Sequence, residues 1–338
     1  MMDSVTRWRN AIASTLGYVY SLSHYGNMIS DAGRVEPYVQ ALRAALQPGA
    51  IALDLGCGIG FFAVLAAQLG ASHVYAIEPD PAITVAQAIA RDNGVSDRLT
   101  FLPAHASDIE LPQRADVIIS DLRGTLPLFQ QHIPALIDAR QRLLAPGGIL
   151  IPQRDRLWAS LIHAPKLYAD CDQPWLGQPH GLDLSAARVY AVNRWRKCTF
   201  STTQCLVAAQ CWAVLDYATI TSPHVRAELD WQLEQPGTAH GLGLWFDAEL
   251  LNGIGFSNAP GQSERVYGKA FFPWLEPVAL QAGDRVQVTL QANLVQDQYI
   301  WRWRSRVNRQ EQAIADFQQS SFFAQPRSLA QFAARAPG

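Results

Sequence analysis

Apolar and polar positions alternate in two different ways along the chain, and the change falls near residue 153. Between residues 50 and 152, short apolar runs such as "AIALDL" and "HVYAIE" precede stretches with helical periodicity, such as "PAITVAQAIARDNG". Strands that alternate with helices at this spacing predict a parallel sheet covered on both faces. Gly70, Gly94 and the "APGG" of residues 145–148 stand where helix C-terminal glycines belong.

The pattern after Pro152 is different, because short runs rich in Val, Thr, Trp and Phe are separated by turn signals such as "TSPH" and "QAGDR". This pattern predicts an all-β region. Before residue 50, "RVEPYVQALRAAL" predicts an amphipathic helix that leads into the first strand. The chain is therefore α/β, with a doubly wound parallel sheet followed by a β-rich domain.

Composition narrows the functional class. The chain has 338 residues, of which 49% are hydrophobic and 17% charged, as expected for a compact globular protein. A net charge of −2 gives no reason to expect a nucleic-acid partner. The five cysteines form no CxxC pair, so neither a disulfide framework nor a metal site is expected. Because the sequence shows neither an apolar signal segment nor a membrane span, we expect a soluble protein of the cytoplasm.

Three alternating glycines follow the first predicted strand in "IALDLGCGIG". Gly56, Gly58 and Gly60 allow a tight turn and a close approach of a ligand to the backbone, at the helix N-terminus that follows. Phe61 stands where a dinucleotide fingerprint requires its third small residue, which argues against a nicotinamide or flavin cofactor. Glu78, at the end of the second strand, can accept hydrogen bonds from both hydroxyls of a ribose.

The stretch "LDLGCGIG…VYAIEP" resembles motif I and the following acidic loop of class I S-adenosylmethionine-dependent methyltransferases. From about residue 18 to 305, the chain more specifically resembles the protein arginine methyltransferase family, through "HYGNMISDAGRVEPY", "SDIELP", "APGGILIPQR" and "GLGLWFDAEL". The resemblance implies a Rossmann-like domain, a β-barrel with a helical arm, and a head-to-tail homodimer formed through that arm. The resulting division is an N-terminal helical segment (1–47), a Rossmann-like domain (48–153), a β-barrel domain (154–310, arm near 165–198) and a tail (311–338) that adds an edge to the barrel or covers it.

The resemblance also assigns S-adenosylmethionine as the cofactor and S-adenosylhomocysteine as its product. Arg34 would pair with the methionine carboxylate, Asp54 would hold the ammonium and Glu78 the ribose. His24 and Met28 would lie over the cofactor, although packing of their helix is the simpler role for each. Ser107 stands where the family has an acid that contacts adenine. The complete set of cofactor residues is His24, Met28, Arg34, Asp54, Gly56, Cys57, Gly58, Gly60, Glu78, Pro79 and Ser107.

The loop after the fourth strand, "SDLRGTLPLFQQHI", departs from the family. Two family glutamates that clamp the substrate guanidinium correspond here to Asp121 and Gln130, which we assign as catalytic residues. Two carboxylates suit arginine because they polarise the guanidinium and free one nitrogen to attack a sulfonium methyl group. Arg123 replaces a family Met, and Tyr267 in "VYGK" replaces the histidine of the family's Thr-His-Trp loop.

Several functions remain open at this stage. We expect methyl transfer to a guanidino or amino nitrogen of a protein, a peptide or a small molecule. Alternatively, Asp121 acts as a base towards an amide, imidazole or hydroxyl acceptor, or the chain is a catalytically silent cofactor-binding protein. The run "YIWRWRSRVNR" interleaves aromatic residues with arginines, as some nucleic-acid sites do, but a strand with one buried face gives the same alternation. We therefore expect no nucleic-acid partner.

Overall fold

The computed structural model describes residues 20–324. Residues 1–19 and 325–338 lie outside the described part, and with them the outer ends of the predicted N-terminal segment and tail. The chain forms two compact units. Within residues 20–324, the first contains residues 20–121, Asp138–Pro152 and Leu250–Ile254, and the second contains Leu122–Ile137, Gln153–Glu249 and residues 255–324. The chain therefore passes from the first unit to the second directly after Asp121.

The first unit is built on a five-stranded parallel sheet with the order β3-β2-β1-β4-β5, which confirms the predicted doubly wound sheet. The strands are β1 (Ile51–Leu55), β2 (His73–Ile77), β3 (Leu99–Leu102), β4 (Ala115–Ser120) and β5 (Leu144–Ile151). The helices are α1 (Leu22–Ser30), α2 (Ala32–Ala45), α3 (Phe61–Gln68), α4 (Ile83–Asp92) and α5 (His132–Arg142), the last of which begins in the second unit.

The strand order reverses between β1 and β4, because the chain leaves β3 at one edge and returns on the other side of β1. In open α/β sheets, ligands bind at the carboxyl ends of the strands at such a reversal. Every residue of β1 is buried, which explains its continuous apolar run and makes the one acid in it, Asp54, conspicuous. The fold therefore places the glycine loop, which follows β1, at the expected ligand-binding edge.

The "APGG" segment differs from the sequence prediction. Helix α5 ends at Arg142, and residues 145–148 belong to β5 rather than to a helix C-terminus. Pairing of β5 with β4 is irregular there, because Ala115 pairs with Leu144 whereas Val117 pairs with Ile149. Gly147 has a φ of 77°, so the glycines serve an irregularity within the strand.

The second unit contains two antiparallel sheets, which confirms the β-rich half of the prediction. One has the order β7-β12-β10-β6-β8 with β11 paired to β10, and the other has the order β15-β14-β13-β9. Within residues 20–324, the barrel implied by the family resemblance thus consists of two sheets. Their strands are β6 (Arg154–Ile162), β7 (Arg196–Cys198), β8 (Gln210–Asp216), β9 (Val225–Gln232), β10 (Gly237–Leu251), β11 (Ile254–Ser257), β12 (Lys269–Leu280), β13 (Arg285–Val295), β14 (Gln298–Arg309) and β15 (Gln312–Ser320).

Strand β14 carries the alternating Trp and Arg residues. The side chains of Trp301 and Trp303 are buried, whereas those of Arg302, Arg304 and Arg306 are exposed. The indole of Trp303 donates a hydrogen bond to the carbonyl of Pro273, so its only polar atom is satisfied. The alternation therefore reflects a strand with one buried and one wet face.

Two segments that the sequence left poorly defined have regular structure. The region predicted as an arm contains helices α6 (Pro165–Leu176) and α7 (Arg188–Val192). The segment 311–338 was separated from the β domain, but β15 pairs along β14, for example Arg302 with Ser320. The β domain therefore extends past residue 310, and "FQQSSFF" begins within its edge strand. The strand shows no clear apolar alternation because only Phe317, Gln319 and Ser320, near its end, are buried.

Candidate functional site

The glycine loop adopts a backbone that residues with a Cβ atom rarely reach. Gly56, Gly58 and Gly60 have φ values of 78°, 52° and 77°. A Cβ atom on Gly60 would lie 2.8 Å from that of Ala86, so the loop also packs against α4 too closely for a side chain. The amides of Gly56 and Cys57 donate to the carbonyl of Ile77, which ties the loop to the end of β2. The loop is thus a fixed cradle at the N-terminus of α3.

Glu78 lies against this loop. Its carboxylate accepts hydrogen bonds from the backbone amides of Gly58 (Oε2, 2.9 Å) and Asp80 (Oε1, 2.9 Å). Burial nevertheless raises the pKa of Glu78 above its ordinary value, because desolvation outweighs these two donors. Each oxygen keeps a lone pair after these bonds, so the carboxylate is held in place and can still accept from two hydroxyls.

Asp54 is a buried acid near the carboxyl end of β1, with 3% of its surface exposed. Its Oδ2 atom is buried and forms no hydrogen bond within residues 20–324. Burial raises its pKa to about 7, with Glu78 contributing in the same direction and Arg34 opposing it. A buried carboxylate oxygen without a donor is costly, and a bound cation would remove that cost. The site therefore fits a ligand with an ammonium group next to the glycine loop.

Arg34 and Asp121 form a buried ion pair that the sequence did not predict. Asp121 Oδ2 lies 2.5 Å from Nη2 and 2.7 Å from Nε of Arg34, and both side chains are less than a tenth exposed. Nη1 of Arg34 donates to the carbonyl of Met28 at 3.2 Å. The guanidinium also lies over the rings of Tyr38 and Phe62. The residue expected to bind a carboxylate ligand thus already contacts the residue expected to act on the acceptor.

Helix α1 contacts the glycine loop through Tyr25, next to the predicted cofactor residue His24. His24 is exposed, and its ring completes a capping box with Ser21 at the start of the helix. Tyr25 is half-buried instead, and its ring lies so close to Gly58 that a Cβ atom there would be 2.5 Å from Cε1. Burial and the charge of Glu78 raise the pKa of Tyr25. No sequence pattern indicated Tyr25, because its contact with Gly58 arises from the packing of α1 against the loop.

The other residues predicted to bind the cofactor differ in burial and in the contacts they make. Met28 is partly buried and contributes its carbonyl to Arg34. Cys57 is buried in the loop, and desolvation raises the pKa of its thiol. Pro79 is exposed. Ser107 is exposed in a short 3-10 helix, where its hydroxyl donates to Asp108 at 3.0 Å, and its contact with adenine stays a prediction.

Gln130 belongs to the second unit and has an unusual backbone. Its φ is 41°, in the left-handed region that residues with a Cβ atom seldom adopt. Gly124 approaches the ring of Phe129 so closely that a Cβ atom on the glycine would be 2.6 Å from a ring carbon. Next to Gln130, the side-chain amide of Gln131 donates to the carbonyl of Gln296 at 2.7 Å. The segment after Asp121 is therefore closely packed.

Arg123, the residue that replaces a family Met, is buried in an ion pair. Its Nε and Nη2 atoms each donate to Asp155 at 2.8 Å, and both side chains are fully buried. The hydroxyl of Tyr217 also donates to Asp155, at 2.5 Å from Oδ2, and lies 3.0 Å from Nε2 of His132. Arg123 thus adds no unbalanced charge to the predicted acceptor segment.

Tyr267, which stands at the family histidine, is a packing residue here. Its ring stacks on Phe256 with centroids 5.6 Å apart and meets Phe246 edge to face at 5.3 Å. The guanidinium of Arg123 lies 5.8 Å from the centroid of Phe246 and 6.0 Å from that of Phe256. The changes at Arg123 and Tyr267 therefore belong to one aromatic cluster, which the separate sequence positions did not reveal.

The chain is similar in sequence to known methyltransferases. The family model described as ribosomal protein L11 methyltransferase (PrmA) matches residues 37–163. Probable protein arginine N-methyltransferase 6 of Arabidopsis thaliana is 30% identical over 265 residues, which cover 74% of this chain and 60% of the relative. Protein arginine N-methyltransferase 1 of Dictyostelium discoideum is 25% identical over 292 residues, covering 83% and 85%. The chain spans 60 to 62% of the length of the Arabidopsis relative and of its rice counterparts.

The fold is also similar to that of a solved PRMT1 complex. The solved Trypanosoma brucei PRMT1 enzyme-prozyme heterotetrameric complex with AdoHcy matches with a TM-score of 0.79 and 20% identity, over 88% of this chain and 96% of that one. The chain resembles the protein arginine methyltransferases. Its fold matches that solved structure, and its similarity in sequence to the relatives extends over both units.

Proposed function

We propose that the protein is an S-adenosylmethionine-dependent methyltransferase that transfers a methyl group to a guanidino nitrogen. The observation that carries the proposal is the cradle in the first unit, where the glycine loop, the clamped carboxylate of Glu78 and the unsatisfied Oδ2 of Asp54 lie at the switch point of the sheet. These groups fit a ligand that has both a ribose and an ammonium group. The relatives named above support the reaction type.

The residues of this chain have separable roles in that proposal. Glu78 binds the ribose hydroxyls. Asp54 binds the ammonium, which supplies the hydrogen-bond donor that its Oδ2 atom lacks within residues 20–324. Arg34 binds the methionine carboxylate, a bidentate contact suited to a guanidinium. The cofactor supplies an electrophilic methyl group on a sulfonium. Because in-line transfer needs an oriented nucleophile more than a strong base, the task left to Asp121 and Gln130 is to hold the acceptor nitrogen.

The acceptor is proposed as a guanidino nitrogen because the named relatives are arginine methyltransferases. The carboxylate of Asp121 can accept one hydrogen bond from the guanidino group, and the side-chain carbonyl of Gln130 can accept another. Whether the guanidino group belongs to a protein, a peptide or a small molecule is decided by the following experiment.

The test begins with calorimetric binding of S-adenosylhomocysteine to the purified chain. Transfer is then measured with tritiated S-adenosylmethionine and a lysate of the native host, with counts separated into acid-precipitated and acid-soluble pools. Precipitated label that hydrolyses to methylarginine supports a protein acceptor, and soluble methylguanidino label supports a small one. Label in any other methylated group, or binding without transfer, contradicts the proposal and favours a changed acceptor or the silent alternative, respectively.

We also propose a homodimer formed through the arm. Its exposed apolar side chains are Leu176, Leu182, Val189 and Tyr190, of which Leu182 is 61% exposed. Arg188 holds the arm rigid, since it bonds to Asp172, the hydroxyl of Tyr168 and the carbonyl of Leu275. A rigid exposed apolar surface favours association. Leu182→Glu should halve the mass measured by light scattering, whereas Val295→Glu, at a residue 54% exposed outside the arm, should not.

A mass equal to one chain before mutation would contradict the dimer.

Within residues 20–324, no helix is both long and apolar enough to cross a membrane. For the compartment, we propose the reducing cytoplasm, since all five cysteines are free thiols.

A further inference from the structure

The two ends of the segment from Arg123 to His132 meet one buried carboxylate, that of Asp155. Arg123 reaches it directly through two hydrogen bonds of 2.8 Å. His132 reaches it through Tyr217, whose hydroxyl donates its single proton to Asp155 and must therefore accept from Nε2 of the histidine. Asp155 thus closes the ten-residue segment into a loop from its base on β6.

The middle of this segment needs such support. Gln130 is held at a φ of 41°, a conformation that persists in a residue with a Cβ atom only when its surroundings enforce it. Leu126 and Leu128, which precede Gln130, are buried, and the side chain of Gln131, which follows it, donates to the carbonyl of Gln296 and to Asp297. Gln130 is therefore fixed by contacts on both sides of it rather than by its own preference.

The ion pair is a poor means of stabilising the unit, which points to another role. Desolvating two charges costs about as much as their attraction returns, and apolar residues of similar volume often stabilise a core equally well. A bidentate pair does, however, fix direction as well as distance. Here the pair fixes Arg123, which lies two positions after Asp121. Through Tyr217, Asp155 also fixes His132, which lies two positions after Gln130.

We propose that Asp155 is a positioning residue that holds Gln130 in the orientation needed to bind the methyl acceptor. The inference rests on the proposed function, because it gives Gln130 an acceptor to bind. Asp155 itself touches no ligand in this scheme. It acts through Arg123 at one end of the segment and through Tyr217 and His132 at the other.

Three variants test the inference. Tyr217→Phe removes the His132 branch and leaves the ion pair intact. The double variant Arg123→Met, Asp155→Leu removes both charges together, so no buried charge is left unpaired and the unit should fold. Asp216→Asn is the matched control, because it breaks the neighbouring ion pair of Arg154, which is about a third exposed, on the same pair of strands.

Two readouts separate positioning from stability. Hydrogen exchange of residues 122–137 should become about tenfold faster in Tyr217→Phe and faster still in the double variant. Methyl incorporation into host lysate at saturating cofactor should fall by about 10²-fold in the double variant, as expected when a binding group is displaced by about 1 Å. The affinity for S-adenosylhomocysteine, measured by calorimetry, should stay within about twofold. The control should change none of these.

Unchanged exchange in both Tyr217→Phe and a folded double variant would overturn the positioning role, whatever the activity. Faster exchange with full methyl incorporation would overturn it as well, because the segment would then be free without consequence. If the parent chain binds S-adenosylhomocysteine but transfers no methyl group, the proposed function fails at once. That outcome removes the acceptor from the inference and is distinct from either result with the variants.

Discussion

Buried carboxylates in the two units differ in how completely they are hydrogen-bonded. In the first unit, Asp54 keeps a buried oxygen without a donor in the described residues, and Glu78 keeps lone pairs after two backbone bonds. In the second unit, Asp155 is just as buried, but three hydrogen bonds from Arg123 and Tyr217 satisfy it. Because leaving a buried carboxylate incomplete is costly, the incomplete one is the candidate for binding a ligand. The satisfied one serves the protein itself.

The largest effect is expected at Asp121. Its carboxylate differs from both of these, because it is paired within the protein and is also the residue proposed to bind the methyl acceptor. Asp121→Asn keeps a hydrogen-bond acceptor for Arg34 but loses the charge that polarises the acceptor nitrogen. Methyl transfer should fall by about 10²- to 10³-fold, with the affinity for S-adenosylhomocysteine changed by less than about threefold. Transfer assays and calorimetry on one preparation check both. Full activity would remove Asp121 from the mechanism and leave only its pairing with Arg34.

At Glu78, the comparison predicts a loss of cofactor affinity. Glu78→Ala removes charge-assisted hydrogen bonds to the ribose, worth about 1.5–3 kcal/mol together, so the dissociation constant should rise about 10- to 100-fold. Arg43→Ala, at an exposed arginine on α2, is a neutral control for a lost charge in the same unit. Calorimetry with S-adenosylhomocysteine measures the change. If Tyr217→Phe in the second unit weakens binding as much, the division between open and satisfied carboxylates does not hold.

The pH dependence of cofactor binding tests Asp54. Burial raises its pKa to about 7, so below that pH the free protein carries a neutral carboxyl group at this position. An ammonium ligand binds the carboxylate form, and binding at lower pH must therefore release a proton. The affinity for S-adenosylhomocysteine should increase up to about tenfold per pH unit as the pH rises towards about 7, and then level off.

Asp54→Asn supplies the control, because its side chain cannot ionise and its affinity should be flat over this range. Glu78, Arg34 and Asp121 also act electrostatically on Asp54, so the profile is compared between the two proteins at each pH. An identical slope in the variant would assign the dependence to one of those groups instead.

The smallest effect concerns the backbone of the glycine loop. Gly58 and Gly49 both have positive φ values, 52° and 85°, so alanine at either costs about 1 kcal/mol of stability through strain alone. Only at Gly58 would the new Cβ atom meet a side chain, the ring of Tyr25, whereas at Gly49 it would meet nothing within 4 Å. Gly58→Ala should therefore also weaken binding of S-adenosylhomocysteine, which Gly49→Ala should not. Equal binding by both variants would exclude a role for the Tyr25 contact.

The sequence predicted the sheet, the glycine loop and Glu78 because each depends on local chemistry. Periodicity within a short run of residues defines strands and helices, and a positive φ next to a helix N-terminus calls for glycine. Contacts made by single side chains depend on packing that the sequence does not show. His24 caps its own helix while the next residue, Tyr25, reaches the loop. The "APGG" segment was given to a helix end because glycine is common both there and in strand irregularities.

By itself, then, the sequence determined the α/β class, the doubly wound sheet and the glycine loop that follows its first strand. Only the tertiary structure decided which charges meet. Arg34 pairs with Asp121, 87 positions away, and Arg123 pairs with Asp155, 32 positions away, so no local pattern contains either pair. Whether a carboxylate is open to a ligand or satisfied by the protein depends on donors brought from distant elements. That distinction separates Asp54 from Asp155, although both are buried acids on β-strands.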